Sequence, residues 1–161
     1  MMKTITGILG LLAVLVVSSL GTTVRSEDEA VRFQAVDLFV DSGSNQLVAY
    51  QVEMWFDKNR VEVVGVEGGE KGVFEHAPYY DPRGLAGGRL ILAAYTTDHE
   101  NAPRGRTRVA RNHLRIEGKG EPELDVTLIT AAKPGGVRIK ATVELEPAVP
   151  DTLGSEEKEV E

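Results

Sequence analysis

The stretch that most constrains the fold runs from residue 47 to residue 69 and reads LVAYQVEMWFDKNRVEVVGVEGG. Its first half alternates, with one apolar face formed by Val48, Tyr50, Val52, Met54 and Phe56. A strict period of two over this length is typical of a strand that buries one face. A polar turn at 57–59 and a second, valine-rich segment at 60–66 follow. The stretch therefore predicts a β-hairpin, which informs us about fold rather than chemistry.

Similar segments separated by turn signals recur along the chain. They predict further strands, at 33–41, 89–96, 106–117, 124–128 and 137–145. No segment beyond the first residues has a convincing helical period. We therefore expect one domain at 30–146, a jelly-roll or immunoglobulin-like β-sandwich of about eight to nine antiparallel strands. The acidic residues 147–161 are too poor in apolar side chains for a core, so we expect a disordered tail.

The apolar faces also suggest which strands are neighbours. If the first predicted strand pairs with the second, Val36 lies beside Val52 and both apolar faces stay together. The same register places Phe33 beside Trp55 on the opposite face. In the last predicted strand, 137–145, alternate residues from Val137 onward are expected to face the core.

The first 26 residues have the layout of a secretory signal peptide. A positive start with Lys3 precedes an apolar run at 5–17, and small residues follow, so that cleavage after Gly21 or Ser26 is expected. An uncleaved membrane anchor is the alternative, but the apolar run is short for a bilayer span of about 20 residues. The absence of cysteine excludes a lipoprotein anchor. We expect a periplasmic or extracellular protein with no stable membrane span after cleavage.

Charge and cysteine content exclude some classes of partner and of stabilisation. The formal net charge is −7, and removal of Lys3 and Arg25 would make the chain more acidic. This acidity argues against nucleic acid as a partner. Because cysteine is absent, an exported domain of this sequence depends on core packing rather than disulfides.

No catalytic or metal-binding motif is present. The histidines, His76, His99 and His113, lack zinc-ligand spacing, and there is no GxSxG nucleophile motif. Oxygen-bearing side chains at 41–45 are spaced like part of a calcium loop but lack its terminal glutamate, so a plain turn is favoured. We predict a non-enzymatic protein without cofactor or metal, and keep a hydrolase with an unrecognised site as a further alternative.

A long loop at 76–88, rich in glycine and proline, carries the first candidate binding residues, Tyr79, Tyr80 and Arg83. Tyrosine rings stack on sugars or peptides, and arginine adds a planar set of hydrogen-bond donors. The alternative is that both tyrosines fold back and cap the open end of the sandwich.

A second loop, following the predicted strand 89–96, adds Asp98, His99 and Glu100 as candidate polar ligands. We expect the two loops to approach each other along the sheet edge. Trp55 is the remaining candidate, because it falls on the polar face of its strand; an exposed tryptophan there would mark a binding surface, unless another segment covers it.

Positive charge is concentrated in one segment, with Arg104, Arg106, Arg108, Arg111 and Arg115. One interpretation is docking onto an acidic partner or an anionic polysaccharide. The favoured interpretation is cross-strand pairing with the many glutamates, with Arg111 and Arg115 pointing outward.

The segment AYQVEMWFDKNRVEVVGVEGG resembles the early part of a cohesin domain. The matching features are Tyr50-Gln51-Val52, Phe56-Asp57, the valine-rich 61–66 and the acidic-glycine corner Glu67-Gly68, with a glycine-led alternating strand later at 105–116. The resemblance spans about residues 33–146 in pattern more than identity, while the PYYDP loop and the arginine-rich segment depart from it.

Membership of this family would imply a nine-stranded jelly roll shared with the cellulose-binding-module superfamily. Cohesins bind dockerin modules through one sheet face and perform no catalysis. The resemblance therefore implies a protein-interaction module whose partner is a dockerin-like or other extracytoplasmic protein. A carbohydrate-binding module that recognises a polysaccharide on the same sandwich is the alternative, because fold alone does not determine function.

Overall fold

The computed structural model describes residues 30–69 and 72–149, which form two packed antiparallel sheets. In chain order the elements are β1 (Val31–Asp41), β2 (Ala49–Phe56), β3 (Val61–Gly68), β4 (Tyr79–Tyr80), α1 (Pro82–Leu85), β5 (Arg89–Tyr95), β6 (Arg106–Glu117), β7 (Leu124–Lys133), β8 (Val137–Arg138) and β9 (Thr142–Pro147). The predicted signal peptide and residues 150–161 of the predicted tail lie outside the described residues. Within the described ranges, no helix is long and apolar enough to cross a membrane.

The two sheets confirm the predicted β-sandwich of antiparallel strands. The front sheet has the strand order β4-β5-β2-β7-β8, and the back sheet has the order β3-β6-β1-β9. Their facing sides enclose one core, whose fully buried side chains include Leu38, Val52, Met54, Leu92, Leu114 and Ile116.

The predicted hairpin is wrong, because β2 and β3 belong to different sheets. At the turn, the N–H groups of Arg60 and Val61 both donate to the Asp57 carbonyl, at 3.0 and 2.8 Å. This tight turn passes the chain from the front sheet to the back sheet. The apolar faces of the two strands then meet across the core, which satisfies the same alternation as a hairpin would.

The predicted pairing of the first two strands is also wrong. β1 pairs with β6 and β9, so Val36 lies opposite Asn112 and not beside Val52. Phe33 lies opposite Arg115 on the back sheet, whereas Trp55 belongs to the front sheet. Alternation determines which face a strand buries, but it does not identify the neighbouring strand.

The last predicted strand is two strands in different sheets. β8 ends the front sheet, and the Ile139 N–H donates to the Ala131 carbonyl at 2.9 Å before the chain crosses to β9. Val137, expected to face the core, is instead 52 % exposed. The crossover keeps the alternation of residue types but changes the sheet in which they lie.

The loop at 76–88 contains a short edge strand and a single helical turn. Asp81 caps α1 by accepting a hydrogen bond from the Arg83 N–H at 3.0 Å, and Pro82 follows at the first helical position, where a missing N–H costs nothing. α1 packs against the start of β5, since a Cβ on Gly84 would lie 2.6 Å from the Arg89 carbonyl oxygen.

The buried side chain of Tyr50 connects β2 to two other segments of the core. Its hydroxyl donates to the Val109 carbonyl at 3.0 Å, and its ring meets Phe74 edge-on with centroids 5.3 Å apart. Burial raises the pKa of Tyr50, so the hydroxyl stays protonated and keeps its role as a donor. Phe74 therefore anchors the corner after β3.

Asn112 is a polar residue inside the apolar core. It lies on β6 opposite Val36 and Val66 and is fully buried, and neither its Nδ2 nor its Oδ1 has a hydrogen-bond partner among the described residues. Leaving a buried polar group unsatisfied costs about 1–3 kcal/mol.

We expect Asn112→Leu to raise the free energy of unfolding by about 1 kcal/mol, because leucine has the same branched shape as asparagine and needs no hydrogen bond. The measurement is a urea titration, in which the midpoint rises at an unchanged slope. A lower midpoint would show that the amide has a partner worth more than the apolar contacts that replace it.

Candidate functional site: the outer face of the front sheet

The outer face of the front sheet is built by every second residue of its strands. From β5 it receives Arg89, Ile91, Ala93 and Tyr95, and from β2 it receives Gln51, Glu53 and Trp55. Tyr79 of β4 lies directly opposite Ala93, so it belongs to the same face. The face is thus continuous from the edge strand β4 to the opposite edge at β8.

Large apolar side chains on this face are unusually open to solvent. Tyr95 is 79 % exposed, Tyr79 72 %, Trp55 43 % and Ile129 40 %. Single exposed apolar residues are common on protein surfaces, but several on one sheet face are typical of an interaction surface.

Small residues between these side chains make a shallow trough. One row across four strands runs Tyr95, Ala49, Ala132 and Arg138. The next row contains Tyr79, Ala93, Gln51 and Thr130. The tyrosines form one wall of the trough and Arg138, whose Nε donates to the Thr130 Oγ1 at 3.2 Å, stands on the other side.

The other end of the face is more polar. The Arg89 guanidinium lies 5.4 Å from the centre of the Trp55 ring, a cation–π contact that restrains the indole. Asp125 lies opposite Trp55 on the neighbouring strand, and Glu53 lies opposite Thr127. This end of the face therefore combines carboxylates, a guanidinium and one indole ring.

Two of the residues predicted from sequence, Tyr79 and Trp55, lie on this face. Tyr80 is placed differently: it is opposite Leu92, whose side chain faces the core, and it is 39 % exposed at the sheet edge.

The structure separates the other predicted residues into two places. Arg83 belongs to α1, which precedes β5, whereas Asp98, His99 and Glu100 follow the end of β5. A strand of 7 residues lies between them, so Arg83 and the acidic loop sit at opposite ends of the strand.

The carboxylate of Asp98 is engaged within its own loop. It accepts hydrogen bonds from the Asn101 N–H at 3.2 Å and the Asn101 Nδ2 at 2.8 Å. The side-chain bond from Asn101, followed by the backbone bond, lowers the pKa of Asp98. The His99 carbonyl accepts from the Gln46 Nε2 at 2.6 Å, which ties this loop to the turn after β1.

Tyr95 and Ile129 are the exposed residues of this face that the sequence interpretation missed. Tyr95 ends β5, in which apolar residues occupy both faces, so the pattern did not mark it as exposed. Ile129 lies beyond the predicted strand 124–128, at a bulge where the register of β7 against β2 shifts. The alternation of the strand could have indicated the exposure of Tyr95. Tyr95 follows Ile91 and Ala93 at every second position, on the face opposite that of Leu90 and Leu92.

The outer face of the back sheet uses the arginine-rich segment differently. Arg111 makes two hydrogen bonds to the Asp37 carboxylate, at 2.7 and 3.0 Å, and both residues are more than nine-tenths buried. Arg111 points outward as predicted, but it is not solvent-exposed. Arg108 approaches the same carboxylate at 3.5 Å.

The other arginines of this segment are also engaged within the chain. Arg106 stacks over the Phe39 ring at 3.5 Å and pairs with Glu146 at 2.6 Å, and Arg115 pairs with Glu117 at 2.6 Å. Arg104 donates to the Ser44 carbonyl. The Arg106–Glu146 pair and a contact of Arg115 with Glu62 of β3 at 3.5 Å are the cross-strand pairs that were expected, whereas Glu117 belongs to the same strand as Arg115.

No cluster of metal-ligating side chains occurs among residues 30–69 and 72–149. The loop at 41–45 is a local turn: the Asp41 carboxylate accepts from the Gly43 N–H at 2.8 Å, and the Ser42 hydroxyl donates to the Asn45 carbonyl at 2.8 Å.

Comparison with known proteins gives a structural match and no sequence match. No known protein family matches the sequence, and no curated protein matches it. The fold is similar to that of a chain in the crystal structure of the complex between a CaDoc0917 variant and CaCohA2 at pH 5.5. The TM-score is 0.56 and the sequence identity is 15 %. The match covers 68 % of this chain and 82 % of that chain. That structure is a cohesin–dockerin complex, so the likeness establishes a cohesin-like β-sandwich fold.

Proposed function

We propose that this chain is an exported, non-catalytic interaction module that binds another extracytoplasmic protein, of dockerin kind, through the outer face of its front sheet. The observation that carries the proposal is the set of exposed apolar side chains on that face, Tyr79, Tyr95, Trp55 and Ile129. The cohesin-like fold supports it, because the similar structure is a complex with a dockerin. The apolar segment at 5–17 supports export.

The composition of the face favours protein over carbohydrate. Polysaccharide-binding faces present aromatic rings in a line, on which sugars stack. Here Tyr79 and Trp55 do not form such a line, because Glu53, Ile91 and Arg89 lie between them on the face. Mixed carboxylate, guanidinium and apolar groups are typical of a protein interface, where exposed rings anchor and a polar rim orients.

We expect the double change Tyr79→Ala with Tyr95→Ala to weaken partner capture by at least about tenfold, because truncating an interface aromatic anchor costs about 2 kcal/mol or more. The melting temperature should change little, since both rings are exposed. The measurement is capture of a panel of purified dockerin modules and of periplasmic and secreted proteins by the immobilised chain, with Kd determined for each captured protein.

Phe33→Ala is the matched control, because Phe33 is 73 % exposed on the back sheet. Equal loss of capture in the control and in the double variant would contradict the assignment of the face. Retention on insoluble polysaccharide that depends on the tyrosines would favour the carbohydrate-binding alternative.

A further inference from the structure

The β3 edge of the back sheet borders a cleft that no part of the proposed front-sheet site uses. β3 pairs with β6 on one side only, and no described strand lies beside it on the other. The cleft has a volume of about 380 Å³ and lies between β3 and the end of α1. Its apolar lining is formed by Phe56, Val61, Val63, Leu85 and Ala86.

The backbone of β3 presents unpaired hydrogen-bonding groups to this side. The Arg60 carbonyl accepts from the Glu117 N–H at 2.8 Å, which directs Arg60 towards β6. In an antiparallel pair, successive residues direct their N–H and C=O groups to opposite sides. The N–H and C=O groups of Val63 therefore point towards the open edge. The C=O group of Val61 points the same way, but the Val61 N–H donates to the Asp57 carbonyl.

Positive charge lies at the start of β3. Lys58 has no ion pair among the described residues, and the Arg60 guanidinium donates to the carbonyl oxygens of Lys119, at 2.6 Å, and Glu117, at 3.4 Å. These acceptors are neutral, and among residues 30–69 and 72–149 no carboxylate pairs with Arg60. By contrast, Arg115 at the same cleft is neutralised by Glu117 and Glu62.

We propose that this cleft binds an extended peptide segment of another protein, which adds to β3 as an antiparallel strand. In that orientation the carboxyl-terminal end of the segment lies at the start of β3. A carboxylate there meets Lys58 and Arg60, and a branched apolar side chain opposite Val63 enters the cleft. Main-chain hydrogen bonds to Val63 supply affinity, and the apolar pocket and the cations supply selectivity.

The proposal can be tested with the chain as produced and a synthetic probe, acetyl-Thr-Val-Thr-Ile-Thr-Glu with a free carboxyl terminus. We expect saturable binding by calorimetry and at least about tenfold slower hydrogen exchange of the Val63 amide in the complex. A probe with glutamine and a terminal amide should bind about three- to tenfold more weakly, because it loses two exposed ion pairs. A probe N-methylated at isoleucine should not bind, because it cannot form the main-chain hydrogen bonds to β3.

Two variants distinguish this cleft from the front sheet. Ala86→Trp, at the C-cap of α1, fills the cleft from an exposed position and should abolish probe binding. Arg83→Trp, within α1 but outside the lining, should not. The double tyrosine variant of the front sheet should bind the probe normally, so failure of one proposal leaves the other standing.

Three results would overturn the proposal. The first is no saturable binding of the charged probe at millimolar concentration. The second is equal binding of the N-methylated probe, which would indicate insertion of a side chain without strand addition. The third is a concentration-dependent dimer that Ala86→Trp abolishes, which would show that a second copy of the chain occupies the edge.

Discussion

Asp37→Asn is expected to destabilise the domain by about 3–5 kcal/mol, because it removes the buried carboxylate that pairs with the Arg111 guanidinium through two hydrogen bonds. Asp37 and Arg111 are 6 % and 8 % exposed, so water cannot replace the lost partner. Chemical denaturation of the variant and the unaltered chain would measure the difference directly.

Two controls separate this effect from the loss of any ion pair. Glu144→Gln removes an exposed pair with Arg106 at 3.6 Å and should cost less than about 1 kcal/mol. Replacing both buried partners, Asp37→Leu with Arg111→Met, should restore stability close to that of the unaltered chain. If Asp37→Asn were as stable as Glu144→Gln, the interpretation of Asp37 and Arg111 as a buried, compensated ion pair would be contradicted.

The same pair predicts the response to acid. Burial by itself would raise the pKa of Asp37, but the hydrogen bonds and charge of Arg111, with the charge of Arg108, outweigh burial and lower that pKa. A carboxyl whose pKa is lower in the folded state adds stability above its unfolded pKa of about 3.9, and that stability disappears as the pH falls through the folded value. The gap in stability between the unaltered chain and Asp37→Asn should therefore be constant near neutrality and shrink below about pH 4.

Val52→Asp is expected to abolish folding, whereas Gln51→Asp should be tolerated. Val52 is fully buried on β2 between Leu92 and Leu128, and an unpaired carboxylate there costs several kcal/mol. The whole stability of a domain is only about 5–15 kcal/mol. Gln51, the preceding residue, faces outward, opposite Ala93.

Circular dichroism and thermal melts of the two variants would measure this difference. The test is sharp because one residue along a strand reverses the face. Comparable melting of both variants would show that the two faces of β2 are wrongly assigned.

Much of the fold was predictable because burial follows from alternation. The period of two placed Val52 and Met54 in the core and Gln51 outside it, and turn residues separated the strands. The neighbours of each strand were not predictable, because a hairpin and a pair of strands facing across a core require the same pattern. The turn after Asp57, which changes sheets, looks in sequence like any polar turn.

The candidate site was predictable only in part, for a related reason. Tyr79 stood out because it lies in a loop rich in glycine and proline, and Trp55 because it breaks a polar face. Tyr95 did not, since it follows two alanines in an apolar strand. The exposure of Tyr95 depends on the length of β4. Because β4 has only 2 residues, the edge of β5 has no neighbouring strand beyond Ala93.

The position of β1 between β6 and β9 has a consequence for how the chain reaches its native state. Val36 finds one neighbour at Asn112 and the other at Pro147, both far downstream in sequence. Such distant pairings require large loops to close before any contact forms, and they slow folding. During synthesis the first strand therefore has no correct neighbour until β6 has emerged, and its second neighbour comes only with the final strand. Shortening the domain by its last strand would expose an edge of β1, which is a template for aggregation.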